Sequence, residues 1–409
     1  MALYAVSTAG TSISDPVAKP EAFFGLPGRI VDTIDPHTEA HPMAILSNTM
    51  VMFGNVIGRG PYFPVEYTKH HTNLNIGQTG KTSKGRKGTG NSTPKHMISQ
   101  VDSTWGKDCT KSGLSSGEGL IFNIRDARTI QGKVDPGVTD KRLMLIEEEF
   151  AQALKMMTRE GNILSPTLRD AWDGKDLQPL TRSDPIRASN PHVSIIGHIT
   201  EMELRKHLKE VEMSNGLANR FIWLHIERSK IIPSPKGVPP AELAPLIDEL
   251  RIAVQFAGTV GEMVREPDAE DLWAQQYPVL SEGKPGLCGA ITSRAEAQVL
   301  RLSMVYALMD CSATIKVSHL QAALAFWDYS EQSVSLIFED LLGDPNVDRV
   351  WDYLKTLGRL SRSMIHNILG RNASTGEVDR IAGVLTTLGR AEWRQENGHD
   401  LLYPIKRRP

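Results

Sequence analysis

The residues best suited to chemistry lie in one glycine-rich, cationic stretch, residues 79–90, which reads Thr-Gly-Lys-Thr-Ser-Lys-Gly-Arg-Lys-Gly-Thr-Gly. Glycines let a backbone turn tightly and bring its N–H groups close to a ligand. Lysine and a nearby hydroxyl suit phosphates and a magnesium ion. The stretch contains no apolar residue, so it cannot form part of a core. It predicts a phosphate-binding loop, and the alternative is a flexible basic surface loop.

The spacing within this stretch is a variant of the Walker A pattern, Gly-x4-Gly-Lys-[Ser/Thr], which lies between a strand and a helix. Gly80 and Gly85 are correctly spaced, but Lys87 follows one residue late and Gly88 separates it from Thr89. In this register Lys87 reaches the β- and γ-phosphates of ATP and Thr89 holds Mg²⁺.

A rival register places the lysine and hydroxyl on residues 80–82, but too little loop precedes that pair. We therefore keep the first register. It predicts the following nucleotide contacts: Gly80, Ser83, Lys84, Gly85, Arg86, Lys87, Gly88 and Thr89.

Acidic residues follow an apolar run in residues 143–149, Leu-Met-Leu-Ile-Glu-Glu-Glu. A buried strand that ends in carboxylates delivers them to the edge of an open α/β sheet where ligands bind. We assign Glu147 to Mg²⁺ and Glu148 to activation of the attacking water. The alternative is an acidic helix N-terminus, which acids favour in any case.

Polar residues also end a second apolar strand, residues 192–200, where either His198 or Thr200 is placed to orient the lytic water. The alternative for His198 is a structural histidine.

Arg220 lies between a helix and an apolar strand, where an arginine can project into a neighbouring subunit's nucleotide. Its alternative is a surface salt bridge.

Two further arginines lie on the predicted helix 292–309. Arg294 and Arg301 are seven residues apart and therefore share one helix face. That geometry lets a helical lid direct cations at bound nucleotide, and the alternative is ordinary pairing with surface acids.

Composition sets the boundaries for these interpretations. The chain has 409 residues, is 40% hydrophobic and 23% charged, and carries a net charge of −2. It is globular in composition, and any nucleic-acid site must be a local patch or a ring formed by oligomerisation. Three scattered cysteines favour neither a zinc site nor a disulfide scaffold. No signal peptide or membrane span is expected, which predicts a cytoplasmic protein.

The elements that position these residues alternate between strands and helices, which predicts an α/β fold with a mostly parallel sheet. Within it we expect a buried helix over 43–54, a strand over 120–124, a helix over 150–173 and a hairpin over 177–187. Three helices and a strand pair at the C-terminus follow the winged-helix order. The predicted divisions are a flexible tail (1–20), a helical lead-in (21–60), an ATPase core (61–230), a helical lid (231–340) and a winged helix (341–409).

The ordered set of motifs resembles AAA+ ATPases, and among them the minichromosome maintenance helicases. Residues 219–221, Asn-Arg-Phe, resemble the arginine-finger motif of those helicases, and residues 291–303 resemble their sensor 2 helix, with Arg294 as the sensor. The hairpin lies where they carry a hairpin that holds DNA in a central pore. The resemblance implies DNA contacts at Lys175, Arg182 and Arg187.

A closer resemblance is to a helicase-like family encoded beside primase-polymerases of phages, plasmids and integrated elements. Its members share the text of residues 82–89, 113–121, 147–150, 195–200 and 218–221. The resemblance implies a P-loop ATPase that uses ATP and Mg²⁺, forms a hexameric ring and acts on single-stranded or forked DNA with a primase-polymerase partner. It implies a site shared between subunits.

Two other classes of function stay open. One is a DNA-binding initiator or defence protein that uses nucleotide as an assembly switch and hydrolyses little. The other is an ATPase that remodels protein, whose hydrolysis single-stranded DNA does not stimulate. The C-terminal unit is open to duplex binding through its third helix, with Arg380 near phosphates, or to protein docking.

Overall fold

A computed structural model of the protein describes residues 14–80, 88–130, 132–179, 186–211, 216–283, 286–338, 344–370, 373–396 and 398–405. Its central element is a five-stranded sheet in which all neighbouring strands run parallel. The strands in chain order are β1 (Asn75–Gly80), β2 (Thr110–Lys111), β3 (Arg142–Glu147), β4 (His192–Thr200) and β5 (Ile222–His225). Their spatial order is β2-β3-β4-β1-β5. The predicted α/β class with a parallel sheet is therefore confirmed.

The register of the sheet decides which side chains can meet. Gly80 of β1 pairs with Thr200 of β4, and Glu147 of β3 pairs with Gly197 of β4. Because all five strands run the same way, their last residues lie along one side of the sheet, which we call the carboxyl edge. The first residues of the strands lie along the opposite side, the amino edge. A six-residue strand spans about 20 Å, so the two edges are separated by roughly that distance.

The strands are buried on both faces, as the apolar runs predict. Along β3, Met144 belongs to a first hydrophobic cluster, against which Ile146 also packs, whereas Leu143 and Leu145 belong to a second. This alternation follows from the period of two in a strand. The first cluster includes residues of the helices Pro42–Val56, Thr89–Val101 and Ala295–Met309, and the second includes residues of Phe150–Met157, Leu164–Trp172 and Glu201–Val211.

Twelve α-helices described before residue 344 cover the sheet. They are Gly25–Ile34, Pro42–Val56, Thr89–Val101, Gly117–Asn123, Phe150–Met157, Leu164–Trp172, Glu201–Val211, Pro240–Ala257, Pro267–Ser281, Gly286–Thr292, Ala295–Met309 and Val317–Phe338. Shorter helical turns are Pro20–Phe23, Asp35–His37, Trp105–Cys109 and Ala218–Arg220. None of the helices in the described part has the length and apolar character to cross a membrane.

Three small strand pairs lie outside the central sheet. Tyr62–Val65 pairs antiparallel with Thr68–His71, and Arg128–Ile130 pairs antiparallel with Lys133–Asp135. Val264–Arg265 runs parallel to Thr314–Ile315.

Two glycines in the sheet make room for large aromatic side chains. A Cβ added to Gly77 would lie 2.2 Å from the Trp223 ring, and one added to Gly197 would lie 2.7 Å from Phe150. Trp223 and Phe150 are themselves buried in the second cluster. The missing side chains therefore allow aromatic rings to pack directly on the sheet backbone.

The C-terminal unit begins at Pro345 and has its own hydrophobic cluster. Its helices are Pro345–Leu357, Arg362–Ile368 and Thr375–Thr387. Leu360–Ser361, His399–Pro404 and Ala391–Glu396 form, in that spatial order, an antiparallel three-stranded sheet. The predicted sequence of three helices followed by a strand pair is present.

One local prediction is wrong. The segment predicted as a strand over 120–124 lies mostly in the helix Gly117–Asn123, because the Ser116 hydroxyl accepts the Gly119 N–H at 3.0 Å and caps a helix start. The helical structure predicted over 150–173 is present as two helices, Phe150–Met157 and Leu164–Trp172. The connection between them contains Gly161 with φ of +79°, a left-handed conformation that interrupts helical structure.

The predicted divisions of the chain stay predictions. Residues from the lead-in, the core and the lid all contribute to the first hydrophobic cluster, which includes Ile30, Ile76 and Val299. Apolar packing therefore crosses the boundaries placed at residues 61 and 231. Of the predicted tail, residues 1–13 lie outside the described residues, and the Val17 N–H donates to Gln332 at 2.9 Å.

Candidate functional site

A cavity of about 670 Å³ opens at the carboxyl edge of the sheet. It brings together residues from the end of the glycine-rich stretch, the residues after β3, the end of β4 and the helix that follows β4. Its lining residues are Gly88, Thr89, Glu148, Glu149, Ala151, Gln152, Lys155, His198, Ile199, Thr200 and Glu203. Five of the predicted site residues therefore share one cavity: Gly88, Thr89, Glu148, His198 and Thr200.

The helix Thr89–Val101 begins at this cavity. Its N-cap residue, Gly88, provides no side-chain cap, and a Cβ at Gly88 would have no atom within 4 Å. The first N–H groups of such a helix have no partner within it and, with the helix dipole, favour an anion. Gly80 ends β1, but Ser83, Lys84, Gly85, Arg86 and Lys87 lie outside the described residues.

The three consecutive acids have different surroundings. Glu148 and Glu149 line the cavity, whereas Glu147 is absent from the described lining. The buried Glu147 carboxylate accepts the Leu114 N–H at 2.9 Å. Burial raises the pKa of Glu147 above its usual value, although the N–H groups of Leu114 and Gly113 oppose the shift. Glu147 thus fixes the loop before residue 117 to the end of β3.

Thr200 has a structural role that the sequence interpretation did not weigh. The Glu203 N–H donates to Thr200 Oγ1 at 3.3 Å, and the Thr200 N–H donates back to Glu203 Oε2 at 3.4 Å; Oγ1 also donates to Oε2 at 2.8 Å. This reciprocal pair is a capping box at the start of Glu201–Val211. The Thr-x-x-Glu spacing in residues 200–203 was available to predict it. The hydrogen bond from the Thr200 hydroxyl lowers the pKa of Glu203.

His198 connects β4 to the helix after the glycine-rich stretch. Its Nε2 lies 3.3 Å from Asn91 Nδ2, and the side chain is only 3% exposed. Asn91 is two residues beyond Thr89. His198 therefore helps to set the position of the helix whose N-terminus opens into the cavity.

Lys155 is the cavity residue that sequence reasoning missed most completely. It lies on Phe150–Met157, which follows the acids, and lines the cavity beside Glu148, Glu149 and Gln152. Its position in a helix without an unusual motif carried no signal. A cation among these carboxylates reduces the repulsion that an incoming anion would meet.

Oxygen donors suited to Mg²⁺ occur in the cavity, since Thr89 provides a hydroxyl and Glu148 and Glu149 provide carboxylates. The described residues contain no group of three or more His, Cys, Asp or Glu side chains arranged to hold a metal. Of the predicted pair, Thr89 lines the cavity and Glu147 accepts the Leu114 N–H, and their joint role in holding Mg²⁺ stays a prediction.

The three arginines with predicted roles at the nucleotide lie at the amino edge of the sheet, opposite the cavity. Arg220 donates to the Asp173 carboxylate from Nε at 3.2 Å and from Nη2 at 2.9 Å. Arg294 Nη1 lies 3.9 Å from Asp173 Oδ1. Arg301 is buried and donates to Asn73, two residues before β1, and to Trp172. These positions belong to the amino edge, so within one chain the predicted site residues form two groups, and the prediction that Arg220 serves a neighbouring subunit stays a prediction.

The electrostatics of the amino-edge group depend on Asp173. Burial disfavours its charged form, but the hydrogen bonds from Arg220 and the charges of Arg294 and Lys175 outweigh burial and keep the pKa of Asp173 below its usual value. Neither Asp173 nor Trp172 carried a signal in the sequence, because their importance comes from distant arginines.

The predicted hairpin is anchored at its base. Leu177 and Ala188 exchange two backbone hydrogen bonds of 2.9 Å, which agrees with the predicted antiparallel arrangement. Of the predicted DNA contacts, Lys175 pairs with Asp170 at 2.9 Å and Arg187 pairs with Asp176 at 2.6 Å. Arg182 lies outside the described residues.

A scan against protein-family models gave no match, and a search of curated proteins found no match to this sequence.

Proposed function

We propose that the protein is an ATPase of the AAA+ P-loop type that assembles into a hexameric ring, as its resemblance implies, and couples ATP hydrolysis to movement along DNA. The observation that carries the proposal is the shared cavity at the carboxyl edge. Chain segments that end or follow three different strands contribute to it, and each contributes a side chain of a type suited to phosphate chemistry.

We assign roles to Thr89 and Glu148 from their positions around this cavity, and to Lys87 and Glu147 from the sequence pattern. Lys87 and the glycines beside it hold the phosphates, Thr89 holds Mg²⁺, and Glu148 accepts a proton from the attacking water. Magnesium supplies charge neutralisation at the transferred phosphate when it is bound. Glu147 is assigned to Mg²⁺ in the proposal, and its present hydrogen bond to Leu114 would have to be exchanged or shared for that role.

The amino-edge position of Arg220 supports a site completed by a second copy of the chain. Arg220 and Arg294 both approach Asp173, and the length of β1 separates that edge from the cavity by about 20 Å. An arginine side chain cannot bridge that distance to its own subunit's phosphates. In a ring, the same arginines face the cavity of a neighbour, where a cation stabilises transition-state charge.

The C-terminal unit fits a winged helix in the order of its elements. Charge on its third helix favours docking or structural use over duplex binding. Arg380 pairs with Glu377 at 2.8 Å and with Asp344 at 2.7 Å, so its charge is compensated within the unit. Lys406, Arg407 and Arg408 lie outside the described residues.

An ATPase assay of the full chain with and without single-stranded DNA tests the proposal. We expect hydrolysis that single-stranded DNA stimulates, and a loss of about 100-fold or more in Lys87→Ala because a cation at the transferred phosphate is removed. Lys81→Ala is the matched control, since it changes the lysine of the rival register. Intact hydrolysis in Lys87→Ala, or no hydrolysis in the unsubstituted protein, would contradict the proposal.

A second candidate is a nucleotide-switched DNA-binding protein with little hydrolysis. Two predicted catalytic residues favour it, because each makes hydrogen bonds within the chain. Glu147 accepts the Leu114 N–H, and Thr200 belongs to a capping box. This candidate predicts that nucleotide changes the mass of the assembly while phosphate release stays at background. Mass measurement beside the ATPase assay separates the two.

A further inference from the structure

The segment Trp172–Asp173 lies between the arginines of the amino edge and the base of the predicted hairpin. It ends the helix Leu164–Trp172, and the hairpin base starts four residues later at Leu177. We call Arg220, Arg294 and Arg301 the arginine cluster. Both residues of the segment contact this cluster, one through its ring and carbonyl and the other through its carboxylate.

Asp173 holds the buried Arg220 and the partly exposed Arg294. Its two carboxylate oxygens accept separate hydrogen bonds from Arg220, which fixes the plane of the guanidinium as well as its position. Arg220 also donates to the Gly216 carbonyl at 2.6 Å. Arg294 lies 3.9 Å from the same carboxylate. One acid therefore sets the relative position of two cations that would otherwise repel each other.

Trp172 attaches this arrangement to the core. The guanidinium of Arg301 lies 3.7 Å from the centre of the Trp172 ring and donates to the Trp172 carbonyl at 2.9 Å. Arg294 and Arg220 lie 5.3 Å and 5.7 Å from the same ring. Because Arg301 also binds Asn73 beside β1, the segment is fixed to the central sheet.

The residues that directly follow the segment are hydrogen-bonded, directly or through Arg59, to residues at the far end of the hairpin. Arg59 Nη1 donates to the Gly174 carbonyl at 3.0 Å and to the Pro191 carbonyl at 2.9 Å. Asp176 accepts from Arg187 at 2.6 Å and from the Asn190 N–H at 3.0 Å. Hydrogen bonds therefore connect residues one and three positions beyond Asp173 with residues at the other end of the hairpin. These bonds restrain the chain between the hairpin base and the Asp173 carboxylate.

We propose that Asp173 is a positioning residue that aligns Arg220 and Arg294 and transmits a displacement of the hairpin to them. The inference rests on the proposed function, since it assigns the arginines to a neighbour's nucleotide and the hairpin to DNA. Such a contiguous chain of contacts carries energetic coupling between two sites. The consequence is that DNA held by the hairpin changes hydrolysis at the neighbouring site through one carboxylate.

The test compares Asp173→Asn with Asp170→Asn, a control on the same helix whose carboxylate pairs with Lys175. We expect Asp173→Asn to lower DNA-stimulated hydrolysis by about 10-fold to 100-fold, because small displacements of a catalytic group have effects of that size. Nucleotide binding to the carboxyl-edge cavity stays unchanged, and Asp173→Glu recovers part of the rate. The control keeps the stimulated rate. Stimulated hydrolysis equal to the unsubstituted protein in Asp173→Asn overturns the inference.

Hydrogen exchange of the same full-length variants gives a readout that does not require hydrolysis. We expect faster exchange in Asp173→Asn at residues 174–179, 186–191 and 216–221, and no change at residues 150–157. If the unsubstituted protein hydrolyses no ATP, the proposed function fails, and exchange alone decides the linkage. Unchanged exchange in all three segments overturns it. A melting measurement on each variant identifies global loss of folding.

Discussion

The three consecutive acids at the end of β3 show how neighbouring residues of one type acquire different uses. Glu148 and Glu149 both line the cavity, but Glu149 Oε2 accepts a hydrogen bond from Gln152 at 2.9 Å on its own helix. Glu147 is bonded to the Leu114 N–H. The pattern of three acids predicted a carboxylate site at the strand end, whereas the partner of each carboxylate depended on segments distant in the chain.

Glu148→Gln tests the assignment of the general base. We expect hydrolysis to fall by about 100-fold or more, because the amide cannot accept the proton of the attacking water. Nucleotide affinity should be retained, as measured with a fluorescent nucleotide. Glu149→Gln is the matched control on the next residue. A larger loss of hydrolysis in the control than in Glu148→Gln would exchange the two roles.

Arg294 and Arg301 illustrate what helical spacing predicts well and what it omits. Seven residues apart, they share one face as predicted, and both approach the Trp172 ring. The side chain of Arg294 is 36% exposed, however, and Arg301 is 2% exposed. Spacing gives the direction of a side chain, whereas its burial depends on what packs above it.

Arg301→Met should therefore destabilise the protein much more than Arg294→Met. We expect a loss of about 3 kcal/mol in unfolding free energy for Arg301→Met, because buried carbonyls of Asn73 and Trp172 lose their donors. For the half-exposed Arg294 the loss should stay below about 1 kcal/mol. Denaturant unfolding measures both. Equal losses would contradict the structural role of Arg301.

At the scale of elements, the packing of aromatic rings on the sheet gives a sharp test of the fold. Gly77→Ala should cost about 1–3 kcal/mol, since the added methyl overlaps the buried Trp223 ring and forces the strand or the ring to shift. Gly383→Ala is a control in the helix Thr375–Thr387, where an added Cβ meets no atom within 4 Å. It should stabilise the protein by up to about 1 kcal/mol. Thermal unfolding that ranks the two variants in the opposite order would contradict the packing.

The prediction for the hairpin has two parts, its antiparallel structure and its binding of DNA. Its base is an antiparallel pair in the structure, and its role in DNA binding stays a prediction. Two of its three candidate cations already have carboxylate partners, so their electrostatic contribution to phosphate binding is reduced. The sequence predicts that these cations lie near the hairpin. It does not predict their ion pairs with Asp170 and Asp176, which depend on how the chain folds at the hairpin base.

Arg182→Ala should weaken binding of single-stranded DNA and reduce the dependence of affinity on salt concentration by about one ion, because one phosphate contact is lost. Arg187→Ala is the matched control at the hairpin base, and we expect it to change affinity less because Arg187 pairs with Asp176. Fluorescence anisotropy over a salt series measures both slopes. Unchanged affinity and slope in Arg182→Ala would show that the hairpin is not the DNA contact.

At the scale of the whole molecule, buried histidines make folding sensitive to acid. Burial, with repulsion from nearby arginines, lowers the pKa of His70 and His71 to about 4, and burial lowers that of His192 to about 3. All three are therefore neutral in the folded protein at neutral pH. Unfolded histidines bind a proton near pH 6.5, so protons favour the unfolded state below that value.

The melting temperature should therefore fall as pH decreases from about 6.5 towards about 4, with no loss from these groups above about 6.5. Unfolding midpoints measured across that interval test the expectation. His70→Gln combined with His71→Gln should flatten the dependence, because the unfolded chain of that variant binds fewer protons. A midpoint that is constant or rises on acidification would contradict the burial of neutral histidines.

The sequence by itself determined which strands end in polar residues, because alternating apolar strands and helices require a parallel sheet whose carboxyl ends meet at one edge. It therefore predicted that Thr89, Glu148 and Thr200 would lie together. Only the tertiary structure placed Arg220 and Arg294 at the opposite edge. Arg301 and its partner Trp172 are 129 residues apart. Periodicity and spacing act within one element, whereas contacts over such separations depend on how the elements pack.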